Sequence, residues 1–230
     1  MKAMILAAGR GERMRPLSDR IPKPLLPVAG KPLILWTIER LARAGWRDLV
    51  INCAHRGAEL TALLGDGADF GVRIAYSDEG GQALETAGGI RQALPLLGAE
   101  PFLVVNGDLW WEGDFSRLPP LAGGDLAHLL LVDNPPHHAA GDFFLHRGRV
   151  SDRVPAADAV PTRLTFAGIG LYRAELFADL PVGQVAPLAP LLRQAMAAGR
   201  VSGEHYTGFW FDVGTPERLH FLDDLIRQQT

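Results

Sequence analysis

Arg10, Arg13, Arg15, Arg20, Lys23 and Lys31 crowd the segment between positions 10 and 31, against only Glu12 and Asp19. In a chain of formal net charge −3 this is a local reversal of sign, and it surrounds Gly9 and Gly11. Glycine lets the backbone turn tightly and present several N–H groups to one anion. Arginine adds forked donors that match phosphate oxygens, and lysine a mobile point charge. Charge alone leaves two readings open: a phosphate site, or a solvated basic loop whose arginines pair with surface acids. Two familiar phosphate loops are excluded by spacing. No Gly-Lys-Ser/Thr tripeptide occurs, and the G-x-G-x-x-G pattern that begins at Gly9 and Gly11 meets Met14 at its last position. Pro16, Pro22, Pro24 and Pro27 also deny the loop a following helix.

Asp108 ends the apolar run FLVVNGD, and Asp212 lies in GFWFDVGTPERL. Magnesium is bound through one or two carboxylates plus substrate phosphates and waters, so two aspartates gathered from distant strand ends suit that work. Each is equally a turn former or a helix cap when taken alone. His137-His138, in a proline-rich stretch, reads as an exposed pair, because two adjacent side chains do not close a metal shell. Cys53 follows Val50-Ile51-Asn52 and reads as core filler rather than nucleophile. As the chain's single cysteine it excludes an internal disulfide and fits a reducing compartment.

The elements that must position these groups alternate from the start. Residues 4–7 form a buried strand candidate. Pro32 opens a helix through Ala44, with Leu33, Trp36, Ile38 and Leu41 on one face and Gly45 at its end. Strands at 49–53, 72–76 and 102–106 alternate with helices at 59–64 and 86–94, the latter closed by Pro95. This rhythm predicts a mostly parallel α/β sheet covered on both faces. Beyond Asp108 it loosens into strands at 126–132, 143–145 and 168–172, helices at 174–179 and 187–198, and a strand-like run at 209–213. The final helix is well signalled: Thr215 as N-cap, Pro216 at the first position and Glu217 complementing the dipole. No repeat or linker divides the chain, so one domain spanning 1–230 is expected, its second half elaborating the C-terminal edge of the sheet, where ligands of open α/β sheets bind.

Residues 6–34, LAAGRGERMRPLSDRIPKPLLPVAGKPLI, resemble the signature of sugar-1-phosphate nucleotidylyltransferases: L-A-A-G-x-G-x-R-[ML]-x-P, then P-K-[PA]-[ML], then G-[KR]-P. NGD at 106–108 and WFDVGTPERL at 210–219 are similar to that family's two metal-carboxylate motifs in order and separation. The resemblance implies a Rossmann-like (GT-A type) three-layer fold with a mixed, mostly parallel central sheet and helices on both faces. It implies a nucleotide-binding half, 1–108, and a sugar-binding half, 109–230. The implied reaction is in-line attack by a sugar-1-phosphate oxygen on the α-phosphorus of a nucleoside triphosphate, releasing pyrophosphate. Arg13 (on the β/γ phosphates), Lys23 (on the α-phosphate), Asp108 and Asp212 are the implied catalytic set, with Mg2+ on the two aspartates. Ala8, Gly9, Gly11 and Glu12 would join Arg13 and Lys23 around the nucleotide, with Thr86, Gly88 and Asn106. Asn106, Gly141, Gly168 and Trp210 would face the sugar.

Two departures from the family pattern stand out. LETAGGI at 84–90 resembles its base-recognition loop, but Glu85 replaces a glycine, which leaves uracil, thymine and guanine open. Many relatives grip the sugar phosphate with a glutamate and a lysine, and residues 150–172 contain neither. Arg153 and Arg163 are the candidate replacements. The stretches at 130–143, 164–172 and 201–219 narrow the resemblance to a uridylyltransferase branch that recycles cell-wall sugar in Gram-negative bacteria, with UTP as donor. The same chemistry on mannose-1-phosphate with GTP, or glucose-1-phosphate with dTTP or UTP, is the alternative. A catalytically silent nucleotide-sugar sensor is disfavoured by the joint presence of Lys23, Asp108 and Asp212.

The bulk composition agrees. At 47% hydrophobic and 21% charged, with net charge −3, the chain is an ordinary globule with no basic face for nucleic acid. The short opening apolar stretch runs into arginines rather than a cleavage site, and no run approaches a membrane span. A cytoplasmic protein is expected, with no membrane partner. Without hexapeptide repeats or an allosteric tail, a monomer is expected.

Overall fold

The computed structural model describes residues 1–54, 56–154 and 162–229. Its first half runs β1 (Ala3–Leu6), a hairpin of β2 (Pro27–Val28) and β3 (Lys31–Pro32), α1 (Leu33–Arg43), β4 (Asp48–Cys53), α2 (Gly57–Leu64), β5 (Arg73–Asp78), α3 (Glu85–Leu97), β6 (Phe102–Asn106) and β7 (Leu109–Trp111). The second half runs β8 (Ala127–Val132), β9 (Phe143–His146), β10 (Arg149–Ser151), β11 (Thr162–Tyr172), α4 (Leu188–Ala197), β12 (Val201–His205), β13 (Trp210–Asp212) and α5 (Pro216–Arg227).

Nine strands form one sheet in the order β5-β4-β1-β6-β11-β8-β12-β10-β9. β11 and β10 run against the others, so the sheet is mixed but mostly parallel. β11 pairs antiparallel with both β6 and β8 and so carries the sheet from the first half into the second. The second half therefore extends the sheet rather than only decorating its edge. Its rhythm loosens in the sequence because loops, not helices, join β8 to β11.

Alternation along the central strands sorts the two faces. Met4, Val50 and Val104 point into a core closed by Ile90 and Leu97 of α3 and Leu192 of α4. Ala3, Ile5, Ile51 and Val105 point the other way, onto Ile34, Ile38 and Leu41 of α1 and Leu60 of α2. A third, small core joins Met14, Val28, Leu33 and Trp110 to Leu219, Leu222 and Ile226 of α5. That cluster fastens the basic loop and the last helix to one another. The carboxylate of Asp223 on α5 also accepts the backbone N–H of Ala29 at 2.6 Å, and the Arg227 guanidinium, its main partner, holds this carboxyl below the usual range.

Thr215 caps α5 as expected, its hydroxyl accepting the N–H of Arg218. Three local expectations are corrected. α3 does not close at Pro95 but runs to Leu97: only the last turn lacks the proline N–H, and buried Leu97 holds that turn in the core. Residues 174–179 make one 3-10 turn, Ala174–Phe177, bonded i to i+3. β11 begins at Thr162, not 168, and carries a register shift between Phe166 and Gly170 that conceals its length. β7 and β12, the first very short and the second half polar, have no strand signature in the sequence. No helix among the described residues is long and apolar enough to cross a membrane.

Candidate active site

Leu6 lies level with Asn52 and with Asn106, so the ends of β1, β4 and β6 form one shelf. Above it opens a cleft of about 760 Å³, lined by Leu6 through Arg13, Lys23, Asn52, Glu79, Glu85, Thr86, Asn106 and Asp108, with Gly214 the sole contribution from the far end of the chain. The basic loop is shaped by Gly11, whose φ of +63° turns the chain into a single 3-10 turn, Glu12–Met14. The Ser18 hydroxyl donates to the Gly11 carbonyl at 2.7 Å, and a Cβ on Gly11 would stand 3.1 Å from the Cβ of Lys23. The lysine stem is thus packed against the turn it shares the cleft with. Met14 is fully buried and anchors the turn from below. Arg13 has no hydrogen bond or ion pair among the described residues, and it lines both this cleft and a second cavity of about 320 Å³.

Both aspartates line the smaller cavity, and Asp108 the larger cleft as well. β13 lies antiparallel to β7 with Asp212 opposite Leu109, and the Val213 N–H donates to the Asp108 carbonyl at 2.8 Å. The Lys23 ammonium is ion-paired to the Asp108 carboxylate. Arg218, one turn into α5, points its Nη1 back to both oxygens of Asp212 at 2.7 Å. His137 Nε2 stands 3.0 Å from Asp212 Oδ1, and His138 Nε2 3.0 Å from Asp142 Oδ1. Both histidines are partly exposed, as read from the sequence, and they also line the smaller cavity. The partner of His137 comes from β13, far along the chain, whereas that of His138 lies only four residues on.

The smaller cavity is walled by Asn106, Gly168 and Trp210, together with Pro135, Thr165, Phe166 and Ala167. The irregularity in β11 makes this wall. Gly168 has φ +75°, and a Cβ there would fall 2.6 Å from Asn106 Nδ2. Trp210 Nε1 donates to the Ala167 carbonyl at 2.9 Å. Gly141 packs against Asn134 and lies outside the lining of both cavities. Gly88 also turns away: a Cβ on it would meet the Gln184 carbonyl at 2.3 Å, and its N–H donates to Ala186. Neither Arg153 nor Arg163, the candidate sugar-phosphate grip, lines either cavity. Arg163 donates to the Asp142 carbonyl at 3.2 Å and lies over the Phe144 ring, while Arg153 is exposed beside Ser151.

Sequence reasoning missed a brace beneath the cleft. Asn52 Oδ1 accepts the Ala7 N–H at 2.7 Å, and its Nδ2 donates to Glu79 Oε1 at 2.6 Å. Glu79 Oε2 in turn accepts the Leu84 N–H at 2.7 Å. Both side chains are buried, so β1, β4 and the start of α3 are tied by one charged network. The only sequence signal is an asparagine inside an apolar strand. Burial, seconded by Asp78 and Glu79, pushes the Cys53 thiol up, consistent with a core role.

A strand-edge cleft with a glycine–arginine turn, a lysine and two aspartates has the donors that nucleotidyl transfer calls for. Residues 2–124 match the Nucleotidyl transferase family, and the chain belongs to it, as a sugar-1-phosphate nucleotidyltransferase. It is 55% identical over 227 residues to the N-acetylmuramate alpha-1-phosphate uridylyltransferase of Neisseria meningitidis serogroup B, covering 95% of each chain. It is 37% identical to the enzyme of that name from Caulobacter vibrioides, covering 94% of this chain and 92% of the relative. The crystal structure of HddC from Yersinia pseudotuberculosis, complexed with GMP-PN, superposes with TM-score 0.80 at 20% identity, over 98% of this chain and 99% of the other, and shares the Rossmann-like α/β fold.

Proposed function

We propose that the chain transfers the uridylyl group of UTP to N-acetylmuramate 1-phosphate, forming UDP-N-acetylmuramate and pyrophosphate, a step in peptidoglycan recycling. The relative of that name, 55% identical along nearly the full chain, supports the substrate pair. The observation that carries the chemistry is the junction of the two cavities: Arg13, Asn106 and Asp108 line both. A phosphate bridging a nucleotide in the larger space and a sugar in the smaller one would lie there.

Ala8, Gly9, Gly11 and Glu12 would cradle the triphosphate, with Arg13 on its outer phosphates and Lys23 on the α-phosphate. Arg13 is available for this because no protein acid occupies it among the described residues. Asn106, Gly168 and Trp210 would orient the sugar phosphate for in-line attack. A phosphate monoester is already anionic, so positioning and charge neutralisation do most of the work. The donor set fits magnesium. No group of three or more His, Cys, Asp and Glu ligands gathers among the described residues, but Asp108 and Asp212 converge on the junction, and the remaining ligands would come from phosphates and water. The ion, when bound there, neutralises charge on the α-phosphate and the leaving pyrophosphate.

The larger cleft draws almost wholly on residues up to 108 and the smaller mainly on later ones, which supports a nucleotide half at 1–108 and a sugar half at 109–230. The unpaired Cys53 supports a cytoplasmic setting. The test is pyrophosphate release from purified protein with magnesium, each nucleoside triphosphate and a panel of sugar 1-phosphates. UTP with N-acetylmuramate 1-phosphate is expected to exceed every other pair, and a different best pair overturns the assignment.

A further inference from the structure

Glu85 is the first residue of α3 and stands on the wall of the larger cleft. Its φ of +58° lies in the left-handed region that a residue with a Cβ enters only at steric cost. Such conformations persist where the surroundings over-determine them, and they gather at functional sites. Here the surroundings do so: the Leu84 N–H is held by Glu79, and its carbonyl accepts the Ala186 N–H at 3.0 Å. On the other side, the Ala87 N–H donates to the Ala186 carbonyl at 2.9 Å. The Glu85 side chain itself is exposed and has no hydrogen bond or ion pair among the described residues. An acid in the first turn also complements a helix dipole, but that role requires neither the left-handed backbone nor a place on the cleft.

The cleft has two ends. Arg13, Lys23 and Asp108 gather where β1 and β6 end, and Arg13 and Asp108 also line the smaller cavity, while Glu79 and Glu85 lie beyond β4, on the opposite flank of β1, with Arg10 reaching the Gly81 carbonyl there at 3.5 Å. The reacting phosphate belongs at the junction of the two cavities, so the neutral base falls on the Glu85 flank. Uracil presents an N3–H donor between two carbonyls, whereas cytosine presents a lone pair at N3. A carboxylate, acceptor only, favours the first and repels the second.

We propose that the Glu85 carboxylate accepts the N3–H of the uracil base and thereby makes the site select UTP over CTP. This rests on the nucleotide reading of the cleft given above. The isosteric change Glu85→Gln exchanges one acceptor oxygen for a donor amide and leaves the backbone demand unchanged. Glu85→Gly relieves the backbone and removes the side chain.

The experiment measures binding of UTP and CTP to wild type and both variants by calorimetry, alongside pyrophosphate release. In wild type UTP binds more tightly than CTP. Losing a charge-assisted hydrogen bond is expected to weaken UTP binding on the order of 10- to 100-fold in both variants, with CTP weakened much less, so the preference collapses. Thermal stability of Glu85→Gly stays at or above wild type. A UTP:CTP ratio unchanged in Glu85→Gln overturns the proposal, as does an equal loss for both nucleotides, which would assign the carboxylate to the ribose or the helix. Failure of wild type to turn over N-acetylmuramate 1-phosphate removes the sugar assignment, while the binding ratios still decide the role of Glu85.

Discussion

The backbone N–H of Val213 donates to the carbonyl of Asp108 at 2.8 Å. That bond continues the pairing of β7 with β13 and sets two carboxylates from opposite halves of the chain on one edge. Neither carboxylate is left alone there: Lys23 pairs with Asp108 and Arg218 with Asp212. Arg13, which lines both cavities, is the cation there without a protein partner among the described residues. A triphosphate bound in the larger cleft would meet Lys23 already paired, and a divalent ion held by Asp108 and Asp212 would add positive charge there.

Asp108→Asn and Lys23→Ala are each expected to lower turnover on the order of a hundredfold or more, the size of effect seen when a donor aimed at developing charge is removed. The measurement is pyrophosphate release at saturating substrates, with circular dichroism to show that the fold is kept. Near-normal turnover in either variant would remove that residue from the chemistry.

Glu79→Ala leaves the Leu84 N–H and the Asn52 amide without their buried acceptor. A lost hydrogen bond to a charged group is worth about 1.5–3 kcal/mol, and urea denaturation is expected to show a loss of that order. The KM for UTP should rise as well, because the same brace fixes the start of α3 on the cleft wall. A stability loss with an unchanged KM would confine Glu79 to the core.

The parts of this molecule that were legible in its sequence are the ones written locally. β1 and β6 read as strands because parallel strands buried on both faces need continuous apolar residues, and Thr215-Pro216-Glu217 announces a helix start by chemistry confined to one turn. The approach of Asp212 to Asp108 was legible only through motif resemblance, since β7 and β13 are three-residue strands that owe their existence to each other. His137 and Asn52 were not legible as site residues for the same reason: each acquires its role from a partner on another element. Gly88 and Gly141 show the converse, glycines in motif-like settings whose lack of a side chain serves backbone packing instead.

Gly168→Ala combines two penalties, a left-handed φ of +75° and a Cβ 2.6 Å from Asn106 Nδ2. The backbone strain alone costs about 1–2 kcal/mol, so the melting temperature should fall. Relief comes most easily by moving the Asn106 amide, which lines both cavities. The KM for the sugar 1-phosphate is therefore expected to rise more than that for UTP in steady-state kinetics, and a stability loss without this asymmetry would argue that Asn106 stays in place.

His128 predicts the direction of the acid limb of stability. It sits on β8 with Nδ1 3.1 Å from Ser202 Oγ, and its buried Nε2 has no hydrogen-bond partner among the described residues. Burial lowers its pKa below the ordinary 6.5, with Asp125 pulling the other way. Below about pH 6.5 the unfolded chain binds a proton that the folded chain refuses, so the unfolded state is favoured as pH falls. This contribution is full above 6.5 and is lost as pH drops through that value towards the folded pKa. Glu204, whose Oε1 is 4.0 Å from His128 Nε2, acts with the opposite sign at lower pH, because burial raises its pKa above the ordinary 4.5 and its folded form takes up the proton first. Asp125 titrates lower still: burial pushes its carboxyl up, but hydrogen bonds from Arg149 and Ser202 leave it below 3.8. Urea midpoints measured from about pH 8 to 5 should therefore decline in wild type and flatten in His128→Gln. An equal slope in both proteins would show that His128 takes up its proton in the folded state without cost.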